Sequence, residues 1–384
     1  MSRFLFVAPP LSGHVNPAAA VSEALADRGH DVAWAGAESF LRPVLGPDAA
    51  IYPTGLRLYR PLGEGGRSAA QSFLEGYVGP LAKFTRAAVA NAVQAFAPDV
   101  LVVDQHALAG ALIAHREGRP WASLLPTSLG QVRPSELPVE IAAWLRGPVA
   151  KLCADAGLPF ETDEELLSLL FSPYLQIAFT TTDFSGPMDD RVVCVGPAVA
   201  RRRGDPRFPL DRLDPARRHV LVTVGTLNVD VATDFYRRVV AALAPLADRL
   251  QAIVLAPTEV VPDPPAHIVV QPRVEIPGLL PHLDAVICHA GANTVGEALR
   301  HRLPLVVAPI TLDQPRTAAH VVRSGAGIEV SFDSASPEQL RAAVLAVLDE
   351  EIYREAAERV RESFLTAGGA PAAAEHLERL AHSR

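Results

Sequence analysis

The sequence predicts an α/β protein built from two doubly wound, parallel-sheet domains. Three observations carry this. Short apolar runs alternate with amphipathic helical stretches along nearly the whole chain. The alternation breaks at one polar, Arg- and Pro-rich segment and then restarts. Runs such as "DVLVVD" and "DAVIC" are apolar at successive positions, as in strands covered by helices on both faces. With 384 residues, 49% of them hydrophobic, the chain is long enough for two separate cores.

The first half opens with "RFLFVA", a strand, followed by the helical stretch "NPAAAVSEALADRG". Asn16 is placed as its N-cap, Pro17 at its first position and Gly29 at its end. "DVAWA" is the next strand, and "DVLVVD" and "WASLL" flank the helix "ALAGALIAHREG". The stretches from Leu56 to Gly79 and from Gln131 to Tyr174 hold Pro and Gly and read as irregular. Residues 201 to 218, with seven Arg, three Asp and three Pro, read as a solvated linker. After it come the strand "HVLVTVGT", a helix near "VATDFYRRVVAALAPLA", and the strands "QAIVLA", "HIVV" and "DAVIC". A helix from Asn293, "PLVVAP", a helix from Pro315 and "IEV" follow. In "SPEQLRAAVLAVL", Ser336 and Gln339 stand as a capping box with Pro337 at the first helical position. The expected domains are therefore 1–200 and 219–384, with 201–218 between them and the last helix packing back on the first domain.

Composition excludes several classes. A net charge of −8 argues against nucleic acid as a partner, since phosphate backbones call for a basic face. Cys153, Cys194 and Cys288 are odd in number and widely spaced, which disfavours a disulfide framework or zinc knuckle and fits a reducing cytoplasm. No run reaches the length of a membrane span. The N-terminal apolar run is too short and Pro-broken for a signal peptide and reads as a buried first strand.

Chemistry concentrates at strand ends. In "CHAGANTVGEAL", small residues link a strand to a helix start, where N–H groups and the helix dipole favour an anion. His289 and Thr294 can add donors to a diphosphate, and Glu297, one turn on, can accept from a ribose diol. A plain strand-to-helix connection with a capping Thr is the alternative. Asp313 and Gln314 end "PLVVAPITLDQ" and suit sugar hydroxyls, which need acceptors and donors together, or else cap the helix after them. In "PPLSGHVNP", the loop after the first strand, His14 is suited to remove a proton from a hydroxyl near neutral pH. Asp104, ending "DVLVVD", can orient it and stabilise the imidazolium. Against these stand a turn histidine and a helix-capping aspartate. No DxD pair stands at a strand end, so neither a metal nor any other cofactor is expected.

"HAGANTVGEALRHRLPLVVAPITLDQ" resembles the signature of the family 1 nucleotide-sugar-dependent glycosyltransferases of GT-B fold, both the bacterial macrolide, antibiotic and carotenoid enzymes and the plant small-molecule glucosyltransferases. The resemblance implies two Rossmann-like domains facing a deep cleft. It implies diphosphate contacts for His289, Gly291, Asn293 and Thr294, a ribose contact for Glu297, and donor-sugar contacts for Asp313 and Gln314. Gly225 and Thr226 would touch the diphosphate from the opposite side. Arg273, with Val274, stands where the family has the ring that stacks on the base, and Glu275 and Ile276 replace its Pro-Gln. Ala292 stands where plant members carry Trp. "GHVNP" and "VVDQHALAG" resemble the family's base loop and partner Asp, which implies His14 and Asp104 as the catalytic pair. Ser12, Gly13 and His106 are acceptor-side candidates, His106 also competing as base. The implied activity is inverting transfer of a sugar from a UDP- or TDP-sugar to a hydroxyl of a small, hydrophobic or polycyclic natural product, by a monomer or homodimer. A nucleotide-sugar 2-epimerase of the same fold and a non-catalytic nucleotide-sugar-binding partner of another transferase are the alternatives.

Overall fold

The computed structural model describes residues 1–58, 69–127, 139–200, 207–225 and 232–383. The chain forms two compact units. One comprises Met1–Thr182, Pro187–Arg203 and Ala367–Arg384, the other Asp183–Gly186 and Gly204–Thr366.

In the first unit, β1 (Arg3–Val7), β2 (Asp31–Gly36), β3 (Ala50–Pro53), β4 (Val100–Asp104), β5 (Trp121–Leu125), β6 (Gln176–Ala178) and β7 (Val192–Cys194) form a sheet in the order β3-β2-β1-β4-β5-β6-β7. In the second, β8 (Arg218–Thr223), β9 (Leu250–Leu255), β10 (Ile268–Gln271), β11 (Ala285–Cys288), β12 (Leu305–Val307) and β13 (Gly327–Glu329) lie in the order β10-β9-β8-β11-β12-β13. Every pairing is parallel. Each sheet therefore reverses its strand order once, between β1 and β4 and between β8 and β11. Such switch points open a crevice at the carboxyl ends of the strands.

Both faces of each sheet are buried, which is why the strands read as unbroken apolar runs. Phe4 and Phe6 of β1 enter one core layer and Leu5 and Val7 the other. In β11, Ala285 and Ile287 face one layer and Val286 and Cys288 the opposite one. Each Phe, Leu, Val or Ile among these contributes roughly 1.5–3 kcal/mol when fully buried. The helix Gly369–His382 sends Ala373, Ala374 and Leu377 into the core shared by Val21 and Leu25. Arg28 and His30 then hold Glu378 at 2.8 Å. The Ser336–Gln339 capping box forms in both directions, at 2.8 and 3.3 Å. No described helix is long and apolar enough to cross a membrane.

Three local expectations are corrected. The first helix spans Ser12–Asp27, with Leu11 rather than Asn16 at its N-cap. The Leu11 carbonyl already accepts from the N–H groups of His14 and Val15 at 3.0 and 2.9 Å, so the helix is under way before Pro17 forfeits its one bond. His14 thus sits in a first helical turn, not a loop. The stretch read as irregular up to Gly79 is helical from Ala69 onward, and that from Gln131 holds the helices Val139–Trp144, Ala150–Asp155 and Asp163–Leu170. In each, a π-turn, Leu74–Val78 and Leu145–Val149, absorbs a Gly-Pro pair (Gly79-Pro80 and Gly147-Pro148) that a regular helix would have broken at. Residues 59–68 and 131–138 of these stretches lie outside the described residues. The segment read as linker is ordered onto the second unit from Arg207: Phe208 is buried in its core and the Asp214 N–H donates to Gln251 Oε1 at 2.9 Å.

Candidate active site

The first group of side chains gathers at the β1/β4 switch point. His14 follows β1 and Asp104 ends β4. His14 Nδ1 lies 3.0 and 2.8 Å from the two Asp104 oxygens. A carboxylate only accepts, so this contact fixes the imidazole proton on Nδ1 and leaves Nε2 with its lone pair. Asp104 Oδ1 also accepts the backbone N–H of His106 at 2.9 Å. Both side chains are buried, Asp104 to 1% exposure. The His106 ring lies 4.6 Å from that of His14. Burial, then the repulsion that two protonated imidazoles would feel beside each other, pushes His106 well below the ordinary histidine range, so it stays neutral. Its Nδ1 is sealed from solvent with no hydrogen-bond partner among the described residues. Ser12 is half-buried and Gly13 exposed at the start of the same helix.

Sequence reasoning missed an aromatic wall beside this group. Phe73 packs edge-on to His106 at 5.0 Å and lies 5.5 Å from Tyr77. Burial, then the charge of Asp104, pushes the Tyr77 phenol up. The i, i+4 spacing of Phe73 and Tyr77 in "AAQSFLEGYV" is the signal that could have exposed them, had Gly76 and Gly79 not been read as breakers.

The second group gathers at the β8/β11 switch point. The helix Ala292–Arg300 follows β11 with Gly291 as N-cap. Asn293 and Thr294 are its second and third residues, in the first turn, where the helix dipole is positive. His289 is wedged between two glycines. A Cβ at Gly225 would stand 2.7 Å from His289 Cε1, and one at Gly291 would stand 2.6 Å from Nε2. Gly225 also has φ +72°, which L side chains rarely adopt. Burial pulls His289 down to about 4, with the Thr223 backbone opposing, so it enters anion binding as a neutral donor. Glu297 is buried at 6% exposure. Thr226 lies outside the described residues.

The loop after β12 carries Asp313 and Gln314. Gln314 Oε1 accepts from the N–H groups of Ile310 and Thr311 at 2.9 and 3.1 Å, so the oxygen holds the loop and the carboxamide nitrogen is the part left for a ligand. The helix here starts at Gln314, one residue before Pro315, and Asp313 is its N-cap residue without a side-chain cap bond. After β10, Arg273 is exposed while the Val274 side chain lies in the core, which leaves only its backbone to a ligand.

Two Rossmann-like parallel sheets, each with polar side chains at its switch point, define the GT-B class of nucleotide-sugar-dependent enzymes. The comparisons agree. The family profile described as erythromycin biosynthesis protein CIII-like, C-terminal domain, matches residues 243–381. The chain is 30% identical to 4'-demethylrebeccamycin synthase of Lentzea aerocolonigenes, over 94% of this chain and 96% of that protein. It is 27% identical to NDP-glycosyltransferase YjiC of Bacillus subtilis (strain 168), over 96% and 95%. Among solved structures, the glycotransferase of kitacinnamycin superposes with a TM-score of 0.80 at 24% identity, covering 99% of both chains. The glycosyltransferase VinC in complex with DTDP superposes with a TM-score of 0.75 at 18% identity, covering 100% of both. The chain belongs to the family 1 nucleotide-sugar-dependent glycosyltransferases of GT-B fold. Family membership sets it among transferases rather than epimerases.

Proposed function

We propose that this glycosyltransferase moves a sugar from a UDP- or TDP-sugar to a hydroxyl of a small, hydrophobic or polycyclic natural product, with inversion at the anomeric carbon. The observation that supports this best is the 2.8 Å contact of His14 with Asp104, which leaves Nε2 as a base. His14 Nε2 takes the acceptor hydroxyl proton while Asp104 stabilises the imidazolium formed. The acceptor oxygen bonds to the anomeric carbon as the bond from that carbon to the β-phosphate oxygen breaks. Negative charge grows on the departing diphosphate, which accepts from the N–H groups at the start of Ala292–Arg300 and from the His289 ring. Glu297 holds the ribose diol, Asp313 and the Gln314 carboxamide nitrogen hold the sugar, and Arg273 stacks on the base. The bacterial relatives with antibiotic-related names, 4'-demethylrebeccamycin synthase and demethyllactenocin mycarosyltransferase, support a natural-product acceptor. With N–H donors meeting the diphosphate charge and no DxD pair in the sequence, transfer needs no divalent cation and persists in EDTA.

The test is His14→Ala. Turnover falls about a hundredfold or more, the scale of a lost general base, while calorimetric binding of the nucleoside diphosphate stays within twofold. Asp104→Asn falls less. Full turnover in His14→Ala rejects the base assignment, and an EDTA-sensitive activity restored by magnesium rejects the metal-free mechanism.

A further inference from the structure

We propose that His14, Asp104 and His106 also form a binding site for a transition-metal ion of the zinc class, and that its occupancy switches the transferase off. The switch rests on the reading of His14 as the base; the site itself does not. Each of the three residues offers one ligand atom, and these atoms lie within 4.8 Å of one another. Zinc–nitrogen and zinc–oxygen bonds of about 2.0–2.2 Å put neighbouring ligands of a tetrahedral ion about 3.4 Å apart, so a modest turn of the imidazoles closes the set. Two imidazoles and one carboxylate form the donor set of open zinc sites, with a fourth position left to water. Imidazole suits zinc, cobalt, nickel and copper, whereas magnesium and calcium call for oxygen ligands.

The surroundings carry the inference further than the three residues alone. His106 Nδ1 and Gln105 Oε1 are both sealed from solvent, and neither has a hydrogen-bond partner among the described residues. Gln105 Nε2 lies 3.3 Å from His106 Nε2 and donates to Thr127 Oγ1 at 2.7 Å. A metal on His106 Nδ1 moves the ring proton to Nε2. Rotation of the Gln105 carboxamide then lets Oε1 accept it and the Thr127 hydroxyl donate to the same oxygen, so His106 Nδ1 gains the ion and Oε1 gains donors, while Nε2 takes the position that Oε1 leaves. A metal-bound histidine ordinarily hands its other N–H to an oxygen in this way. Asp104 is already aimed by the His106 backbone N–H at 2.9 Å, and Phe73 braces the His106 ring edge-on. An ion held here takes up the imidazole that would otherwise receive the acceptor's proton, so it inhibits and serves no catalytic step.

The test uses the full chain without a purification tag, stripped with EDTA and dialysed. Cobalt(II) is titrated by visible absorption and zinc by calorimetry. One ion per chain is expected, with the ligand-field bands of a nitrogen- and oxygen-bound site, no thiolate charge-transfer band, and no displacement by magnesium. His106→Ala should weaken cobalt binding by at least about tenfold, the scale on which even supporting residues of metal sites act. A control at the exposed His282, His282→Ala, should leave it unchanged. Zinc inhibition, taken relative to each variant's own metal-free rate, should weaken in the same order and be relieved by EDTA. Cobalt binding of equal strength in His106→Ala, or only weak binding at several sites, overturns the site. Single-site binding without inhibition overturns the switch. Because cobalt binding is read without activity, full turnover in His14→Ala would overturn the base assignment and the switch but leave the metal site standing.

Discussion

The wedging of His289 between two glycines makes Gly291→Ala a sharp probe of the diphosphate site. Gly291 has φ −64° and ψ 132°, open to any residue, so alanine brings no backbone strain. Its Cβ would stand 2.6 Å from His289 Nε2 and 2.8 Å from Cε1, where ordinary contact begins at 3.4 Å. The ring must therefore shift by about 1 Å, a distance at which hydrogen bonds fail. A Cβ at Gly225 would crowd the same two ring atoms, at 2.7 Å from Cε1 and 2.9 Å from Nε2. Losing a hydrogen bond to a charged group costs about 1.5–3 kcal/mol, or roughly 10- to 150-fold in affinity for the nucleoside diphosphate. Overpacking adds about 1–3 kcal/mol of instability, read separately by thermal melts. Calorimetry on wild type, Gly291→Ala, His289→Ala and the double variant forms a cycle. If alanine acts by displacing the imidazole, it should change affinity less than about threefold once His289 is gone. Wild-type affinity in Gly291→Ala, or an undiminished loss in the His289→Ala background, would refute the reasoning.

Four further outcomes are expected. Glu297→Gln, which keeps the volume of a buried side chain, should weaken nucleoside diphosphate and whole donor alike by about tenfold. Asp313→Ala should weaken only the whole donor, and calorimetry with both ligands separates the two. Ala97, exposed at φ 48° after the helix Gly79–Phe96, should accept glycine with a gain of about 0.5–1 kcal/mol, since the left-handed region costs an L residue roughly 1–2 kcal/mol. A melting temperature lowered in Ala97→Gly contradicts this. Stability should fall with acid between about pH 6.5 and 4, because His289 stays neutral when folded down to about 4, while the unfolded chain takes up its proton near 6.5. The loss is at most about 3 kcal/mol for this group. Urea midpoints across that range should vary less in His289→Asn, and an equal slope in the variant denies the linkage.

Much of the protein is written locally. Strands buried on both faces announce themselves as apolar runs, and a capping box such as Ser336 with Gln339 is a bond between residues three apart. The motif from His289 to Gln314 is contiguous, so its strand-end placement and its family are legible without coordinates. What joins distant residues is not. His14 and Asp104 are 90 positions apart, and only the reversal of strand order at β1 and β4 brings them to 2.8 Å. His289 meets Gly225 because β11 pairs with β8, residue for residue 65 positions earlier in the chain (Cys288 with Thr223). The stretches read as irregular for their Pro and Gly prove largely helical because local propensity is a weak term. Packing through Leu74, Tyr77, Val78 and Leu81 outweighs it, and a π-turn absorbs the missing bond. Phe208, polar in its surroundings by sequence, is decided the same way, by a core that forms only when distant strands assemble over it.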